Sequence, residues 1–362
     1  MKLGKVFHRH GGEFTFIFSL KRVHISVIIS NFNGARFLPR LLDSLRQQRG
    51  VQLEILVVDR LSTDASAAIL AKYTEVRVVQ EPPQTGLVCG YQVGAELACS
   101  ELLFFCNEDM WFEPDCLRLL AERIDLQKRI AAADGWHFQY DTGAFLHGAT
   151  RFKRVKWAIN SPHPRRSADF EVCLPAGEFT PFPCAGAFLI HRAIFRELGG
   201  WDTQFFLDHE DIDLFIRAWQ QGWKAVTVPQ ARIHHAVNAS NNQTLSELNV
   251  KVSERRYLSQ RASLTIIALK YFSLRMLPLS LLVWPAVVVN NVLSRRWNFV
   301  LRDFYVLGEI FRRIPKALAF RRSNADQNHQ SPGQNFFLDR SFTLQKSSKG
   351  QGKAGMGKTL EE

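Results

Sequence analysis

Apolar positions along the chain follow two rhythms. Continuous aliphatic runs over Ile25–Ile29 and Leu53–Val58, with shorter ones over Val76–Val79 and Leu102–Cys106, predict buried parallel strands. Between them a helical rhythm takes over. Leu38, Leu41, Leu42 and Leu45 make one stripe, Ser62-Thr63-Asp64 is a capping sequence that opens a second helix, and the glycine-rich run Gly86–Gly94 leads into a third. Strand and helix alternating at this spacing predict an α/β fold, a doubly wound, mainly parallel sheet flanked by helices. Such sheets bind ligands beyond the carboxyl ends of their strands. Asp59 and the triplet Asn107-Glu108-Asp109 follow strand ends directly, where a nucleotide would sit.

The second half is less regular. Residues 136–182 mix aromatic and basic side chains without a clean period; they read as solvated loops over the sheet, or as a contact surface for an anionic acceptor or a membrane. Cys184–Ile190 is a small-residue turn entering a strand, and Gly199-Gly200-Trp201-Asp202 follows. Then comes the densest feature, Phe205–Leu214, with five ionisable side chains in the six positions 208–213. Ile212, Phe215, Ile216 and Trp219 form one helical face, which puts Glu210 and Asp211 in the first turn and makes Asp208 a candidate N-cap. Acids there stabilise a helix N-terminus; a buried carboxylate also gains proton affinity and can act as a base. Trp223–Val228 reads as a strand, and His234-His235 beyond it are candidate metal ligands.

After residue 250 the character changes. Leu264–Leu293 is strongly apolar but carries Lys270, Arg275, Pro278 and Pro285. Its uninterrupted part, Leu277–Val289, is shorter than the roughly 20 residues a membrane-spanning helix needs. Arginine pairs at 255–256, 295–296, 312–313 and 321–322 frame it, which suits helices lying on an anionic membrane surface. A helical subdomain packed on the core, or a transmembrane hairpin, are the alternatives. Residues 323–362 are polar and read as a disordered tail. The expected division is a basic extension over 1–23, a catalytic domain over 24–245, an apolar and basic helical region over 246–322, and the tail.

Composition adds limits. The formal net charge of +12 suits an anionic partner, and nothing beyond that charge points to nucleic acid, which is not expected as a partner. The six cysteines show neither CxxC pairs nor zinc spacing and read as free thiols of a reducing compartment. The run Phe14–Leu20 is too short to span a bilayer and lacks a small-residue cleavage site, so residence on the cytoplasmic side of the cell membrane, peripheral or shallowly inserted, is expected. Gly86–Gly94 is not GxGxxG and follows the third strand, so a dinucleotide-dependent oxidoreductase is excluded and helix packing on the sheet is expected.

Seven ordered motifs resemble one family: Asn33-Gly34, Val57-Val58-Asp59 with Ser62-Thr63-Asp64, Asn107-x-Asp109, Gly186-Ala187, Gly199-Gly200-Trp201-Asp202, Phe205-Phe206 with Glu210-Asp211-x-Asp213-Leu214, and Pro229-x-Ala231-Arg232-x-x-His235. Together they resemble a family-2 inverting glycosyltransferase, most like the bacterial rhamnosyltransferase-type members, over roughly residues 24–320. The resemblance implies a GT-A fold with a C-terminal helical membrane-associating region, and a metal-dependent enzyme of hexosyl or rhamnosyl transfer. It implies a dTDP- or UDP-sugar donor, a glycan or lipid-linked acceptor of the cell envelope, an anionic membrane surface as partner, and Mn²⁺ or Mg²⁺. By resemblance, Ser30, Phe32, Asn33, Asp59, Arg60, Gly86, Asn107 and Asp109 bind the nucleotide sugar. Asp109 and His235 hold the metal, with His234 the weaker candidate of the pair. Gly186, Trp201 and Asp202 meet the acceptor, and Asp211 or Glu210 is the base. Three positions depart from the pattern. Arg60 stands where Asp or Asn usually reads the pyrimidine base, and an arginine cannot accept the base's N–H. Asn107 replaces the first acid of the DXD-like motif, and Tyr91-Gln92 stand where asparagines are usual. The competing expectation, resting on these departures, is a catalytically inactive, membrane-bound binding module.

Overall fold

The structure, a computed structural model, describes residues 4–271 and 289–328, apart from breaks of which the longest are 82–85, 153–169, 173–178 and 237–258. The expected extension carries a hairpin of β1 (Gly4–His10) and β2 (Glu13–Ser19), a sheet of its own. The strands read from the sequence follow: β3 (Val23–Asn31), β4 (Val51–Asp59), β5 (Val76–Gln80) and β6 (Leu102–Asn107), all parallel, with β3 between β4 and β6. From Ile25 to Asn31 every residue of β3 is buried, as expected of a strand covered on both faces. Ile25, Val27 and Ile29 enter one apolar core and Ile28 the other, on the opposite side of the sheet.

Helix α1 (Leu38–Arg46) buries the expected leucine stripe, each side chain contributing roughly 1.5–3 kcal/mol by removal from water. A short α2 (Ser66–Leu70) follows β4. The glycine-rich run forms α3 (Gly86–Leu97) and explains its glycines: a Cβ on Gly90 would fall 2.5 Å from Ser30 Oγ, and one on Gly94 2.3 Å from Ile28 Cγ2. Only bare backbone lets α3 lie this close to β3, so the helix-packing expectation holds.

The rest of the sheet corrects the expected parallel arrangement. After β6 come β7 (Met110–Phe112), α4 (Cys116–Ala121), β8 (Ile130–Gln139) and β9 (Phe145–His147). A small pair of β10 (Thr150–Phe152) with β11 (Phe170–Val172) and a two-residue β12 (Phe179–Thr180) lead to β13 (Ala187–His191) and α5 (Arg192–Glu197). The chain then runs through α6 (Glu210–Gln220) into β14 (Lys224–His235). The ten-stranded sheet is mixed: β13 runs antiparallel between β6 and β8, and β14 lies parallel to β8. Ala187 pairs with Cys106, so β13 starts at the carboxyl end of β6 and runs back. An antiparallel return needs no crossover helix, and none intervenes among the described residues between β8 and β13.

Beyond β14 the described residues 265–271 are helical, and a long helix covers Trp297–Asn328, running past the expected boundary at 322. Most of the apolar stretch 264–293 lies outside the described residues. Among those described, no helix is long and apolar enough to cross a membrane.

Candidate active site

The site grows from the carboxyl ends of β3, β4 and β6. Asp59, at the end of β4, is buried and ties two loops together. Asn31 Nδ2 and Ser62 Oγ each donate to its Oδ1 at 2.6 Å, and the Ser62 amide donates to Oδ2 at 3.1 Å. Asn33, in the left-handed region at φ 55°, accepts from the Thr63 amide through Oδ1 at 2.8 Å, while its own amide donates to Ser62 Oγ at 2.9 Å. Asn and Ser recur here because short polar side chains satisfy turn amides locally. Ser30 is buried against Gly90. Arg60 follows; its amide donates to Asn31 O at 2.9 Å, and its buried guanidinium lies over the Phe32 ring at 5.2 Å. Burial pulls that guanidinium below its ordinary value, against the opposing pull of Glu108. Its Nε has no hydrogen-bond partner among the described residues. Gly86 opens α3 at φ +81° against Phe206, whose carbonyl accepts from the Leu87 amide at 3.0 Å, so it joins the donor end of the site to the loop before α6.

At the end of β6 the Asn107 side chain is held by Tyr91, whose hydroxyl donates to Oδ1 at 2.7 Å. Burial pushes the Tyr91 phenol far above its ordinary range, so it stays a donor. The Asn107 amide donates to Gly186 O at 2.9 Å, bringing the Gly186 turn to the same edge. A Cβ on Gly186 would fall 2.4 Å from Met110 Cε, which accounts for the glycine.

Pairing of β7 with β14 sets Met110 opposite His235, and His235 Nε2 then stands 3.3 Å from Asp109 Oδ1. Successive residues of a strand face opposite sides. His234 therefore turns away: its ring stacks on Trp111 at 3.6 Å and 7°, with Nε2 3.4 Å from Glu113, and burial lowers its proton affinity. This alternation brings His235, and not His234, beside Asp109. Among the described residues no group of three or more candidate ligands gathers. The Asp109–His235 pair still fits a hard divalent cation, because two ligands each about 2.1 Å from one octahedral ion sit about 3 Å apart, and such ions take their remaining ligands from phosphates and water.

The N-terminus of α6 belongs to the same region, since Tyr91 feels the charges of both Glu210 and Asp109. The N-cap position belongs to His209, at φ 70° and without a side-chain cap bond, which corrects the expectation for Asp208; that residue lies outside the described residues. Glu210 is buried and Asp211 is half-buried, its Oδ1 accepting from the Ile212 amide at 2.7 Å. Asp211 lies near enough to Cys184 for its charge to be felt there: burial pushes the Cys184 thiol up to about 12, with the charges of Asp211 and Asp134 adding to the effect.

Asp213 belongs to a different environment. Its Oδ2 accepts from Arg217 Nε at 3.0 Å and Nη2 at 2.7 Å, and its Oδ1 accepts from Tyr271 at 2.7 Å and from Lys270. Asp202 accepts from the same Lys270 ammonium at 2.9 Å. Trp201 is 3% exposed, stacked on Tyr91 at 5.8 Å and edge-on to Phe105 at 5.2 Å. Both positions, expected to meet the acceptor, are engaged inside the fold. An indole sealed in an aromatic core offers no face to a sugar, and the Asp202 carboxylate is engaged by Lys270. Tyr91, Lys270 and Tyr271 were not singled out as site residues by the sequence. Arg217 carried a local signal, its i,i+4 spacing from Asp213; Lys270 carried none.

Comparison with known proteins gives the family and the fold. Residues 26–199 match Glycosyl transferase family 2. Among curated relatives, Polypeptide N-acetylgalactosaminyltransferase 8 of Drosophila melanogaster is 28% identical over 250 residues, covering 65% of this chain and 42% of the relative. The N-acetylglucosaminyl-diphospho-decaprenol L-rhamnosyltransferase of Mycobacterium tuberculosis (strain ATCC 25618 / H37Rv) is 24% identical over 250 residues, covering 62% of this chain and 80% of the relative. The chain thus spans less than half of the Drosophila relative. A crystal structure of GalNAc-T7 with UDP, GalNAc and Mn²⁺ superposes with a TM-score of 0.50 at 19% identity, over 68% of this chain and 52% of that one, a likeness of fold. Residues 26–199 are a Glycosyl transferase family 2 domain, set in a GT-A-like α/β fold with a mixed sheet flanked by helices.

Proposed function

We propose that the protein transfers a sugar, with inversion, from a nucleotide-diphosphate donor to a hydroxyl of a glycan or lipid-linked acceptor. The observation that carries this reading is the Asp109–His235 pair at the sheet edge, 3.3 Å apart, close in sequence to Asn107, whose amide joins the Gly186 turn. Asp59, Asn33 and Phe32 shape the nucleoside end of the site. Asp109 and His235 are the residues to hold Mn²⁺ or Mg²⁺, which when bound offsets the charge that develops on the leaving diphosphate. In a single displacement the acceptor hydroxyl loses its proton as it attacks. A carboxylate on the side of the sugar away from the diphosphate takes that proton. Asp211 is assigned this role because it is the less buried of the two candidates and its charge reaches Cys184, beside the Gly186 turn.

The membrane surface belongs to the same reading. On the helix Trp297–Asn328, Trp297, Phe304, Tyr305 and Phe311 are 60%, 58%, 69% and 67% exposed, while Asp303 and Arg313 are buried. Arg312, Lys316 and Arg322 are exposed farther along the same helix. Aromatic side chains beside basic ones fit the headgroup region of an anionic, cytoplasm-facing leaflet.

The test incubates the full chain with Mn²⁺, a panel of UDP-, dTDP- and GDP-sugars and lipid-linked acceptors. Asp211→Asn should lower kcat by about 10²- to 10⁴-fold with donor binding nearly intact. Retained activity in Asp211→Asn moves the role to Glu210, and absence of both transfer and donor hydrolysis in the wild type overturns the reading. A second reading, an inactive membrane-bound binding module, is favoured by Arg60, whose buried guanidinium cannot accept a base N–H. Calorimetry with UDP, dTDP and GDP plus Mn²⁺ separates the two: nucleotide binding without turnover supports the module, and binding with turnover supports the enzyme.

A further inference from the structure

Beneath the first turn of α6 lies a cluster of two carboxylates and two cations. Asp213 is fully buried, and the Lys270 and Arg217 side chains are 0% and 7% exposed. Arg217 comes from the same helix and also donates through Nη1 to the carbonyls of Leu198 and Gly200. Lys270 comes from 57 positions downstream, in the helical segment 265–271, and bridges Asp213 to Asp202. The neighbouring Tyr271 donates to Asp213, and the rings of Phe320, Tyr271 and Phe205 surround the ammonium at 4.0, 5.3 and 5.7 Å. Arg313 of the long C-terminal helix also feels the charge of Asp202.

Such a cluster is an expensive way to join two helices. Taking an ammonium and a carboxylate out of water costs several kcal/mol per ion, and apolar residues of similar volume often stabilise a fold as well or better. The charges sit where they matter for another reason. Asp213 lies in the same helical turn as Glu210 and Asp211, and its amide donates to His209 O at 3.1 Å, the first backbone bond of α6. With Lys270 present the cluster is neutral; without it one unpaired negative charge remains directly behind the two carboxylates.

We propose that Lys270 is a positioning residue of the sugar-transfer site: by closing the Asp213–Arg217–Asp202 cluster it locks the first turn of α6 and so fixes Glu210 and Asp211 against the Gly186 turn. The inference rests on the sugar-transfer reading for its catalytic consequence alone. It makes the segment 265–271 a part of the catalytic unit, beyond any role at a membrane.

The experiment uses the full chain and the variants Lys270→Met and Lys270→Arg. Hydrogen–deuterium exchange requires no turnover: Lys270→Met should raise exchange at the amides of residues 210–214 by about tenfold or more, leaving β3 and β4 unchanged. In transfer assays, Lys270→Met should lower kcat by up to about 100-fold, the cost of a misplacement near 1 Å, with donor KM within about twofold. Its surplus negative charge should move the acid limb of the pH–rate profile upward by about one pH unit. Lys270→Arg, which keeps the charge, should restore the limb and part of kcat. If Lys270→Met does not fold, its combination with Asp202→Asn restores charge balance and is read for exchange and kcat by the same criteria. Unchanged protection of residues 210–214 overturns the inference, as does loosened protection with unchanged kcat and an unchanged acid limb. A wild type that turns over no donor overturns the sugar-transfer reading, and the exchange arm still decides whether Lys270 locks α6.

Discussion

Asp109 and Asp213 are both carboxylates at the edges of helices and strands that meet above one sheet, yet their surroundings have little in common. Around Asp213, Arg217, Lys270 and Tyr271 take up both oxygens. Burial pushes that carboxyl up, but the two cations and the hydroxyl outweigh it and hold it below the usual range. Asp109 has no arginine or lysine partner among the described residues; its Oδ1 faces His235 and makes no hydrogen bond there. A carboxylate whose charge is balanced inside the protein holds structure together. One left facing a histidine ring, with no arginine or lysine beside it, is arranged for a charge that arrives from outside, as a cation does.

Exchanging charge at the two centres tests this contrast. Asp109→Asn should remove several kcal/mol of transition-state stabilisation, about 10³-fold in metal-dependent turnover, with the melting temperature near that of the wild type. His235→Ala should follow in the same direction and His234→Ala should not, since that ring packs on Trp111. Equal losses from the two histidines would dissolve the assignment. Arg217→Ala should act the opposite way, costing about 3–5 kcal/mol in urea denaturation because Asp213 would lose one of its two buried cations. A neutral result there would mean that Lys270 alone balances the cluster.

Asp134 is a third kind of carboxylate and gives the smallest effect. It lies in β8 behind the Gly186 turn, accepts from the Cys184 amide at 3.2 Å, and burial pushes it up to about 7. The folded state therefore holds this proton more tightly than the unfolded chain. Its contribution to stability is fully present below about pH 4 and is lost as the pH rises through about 7. Asp134→Asn should flatten that decline, shifting the melting temperature by a few degrees near neutral pH; an unchanged profile would place the titration elsewhere.

Much of the parallel half was legible in the order of residues. Ile25–Ile29, Leu53–Val58, Val76–Val79 and Leu102–Cys106 all fall inside β3 to β6, and Asp59 and Asn107 close their strands as expected. The helix face of Ile212, Phe215 and Ile216 is buried in α6. Less legible were the antiparallel insertion of β13, the N-cap at His209 and the burial of Trp201, because none has a periodic signature. Candidate chemistry divided the same way: Asp59, Asp109 and His235 could be placed by their positions at strand ends, whereas Asp202 could not.

What the sequence determined alone is what depends on near neighbours: which segments are strands or helices, which faces they bury, and which acids stand at strand ends. Hydrophobic periodicity and capping act over a few residues, so they can be read from a few residues. What only the tertiary structure decided is which charges meet. Lys270 reaches Asp213 and Asp202 across 57 and 68 positions, and His235 rather than His234 reaches Asp109 because β14 pairs with β7 in one register. Electrostatic partners are set by distance in space, and the distance between these groups exists only once the sheet and the C-terminal helices have packed.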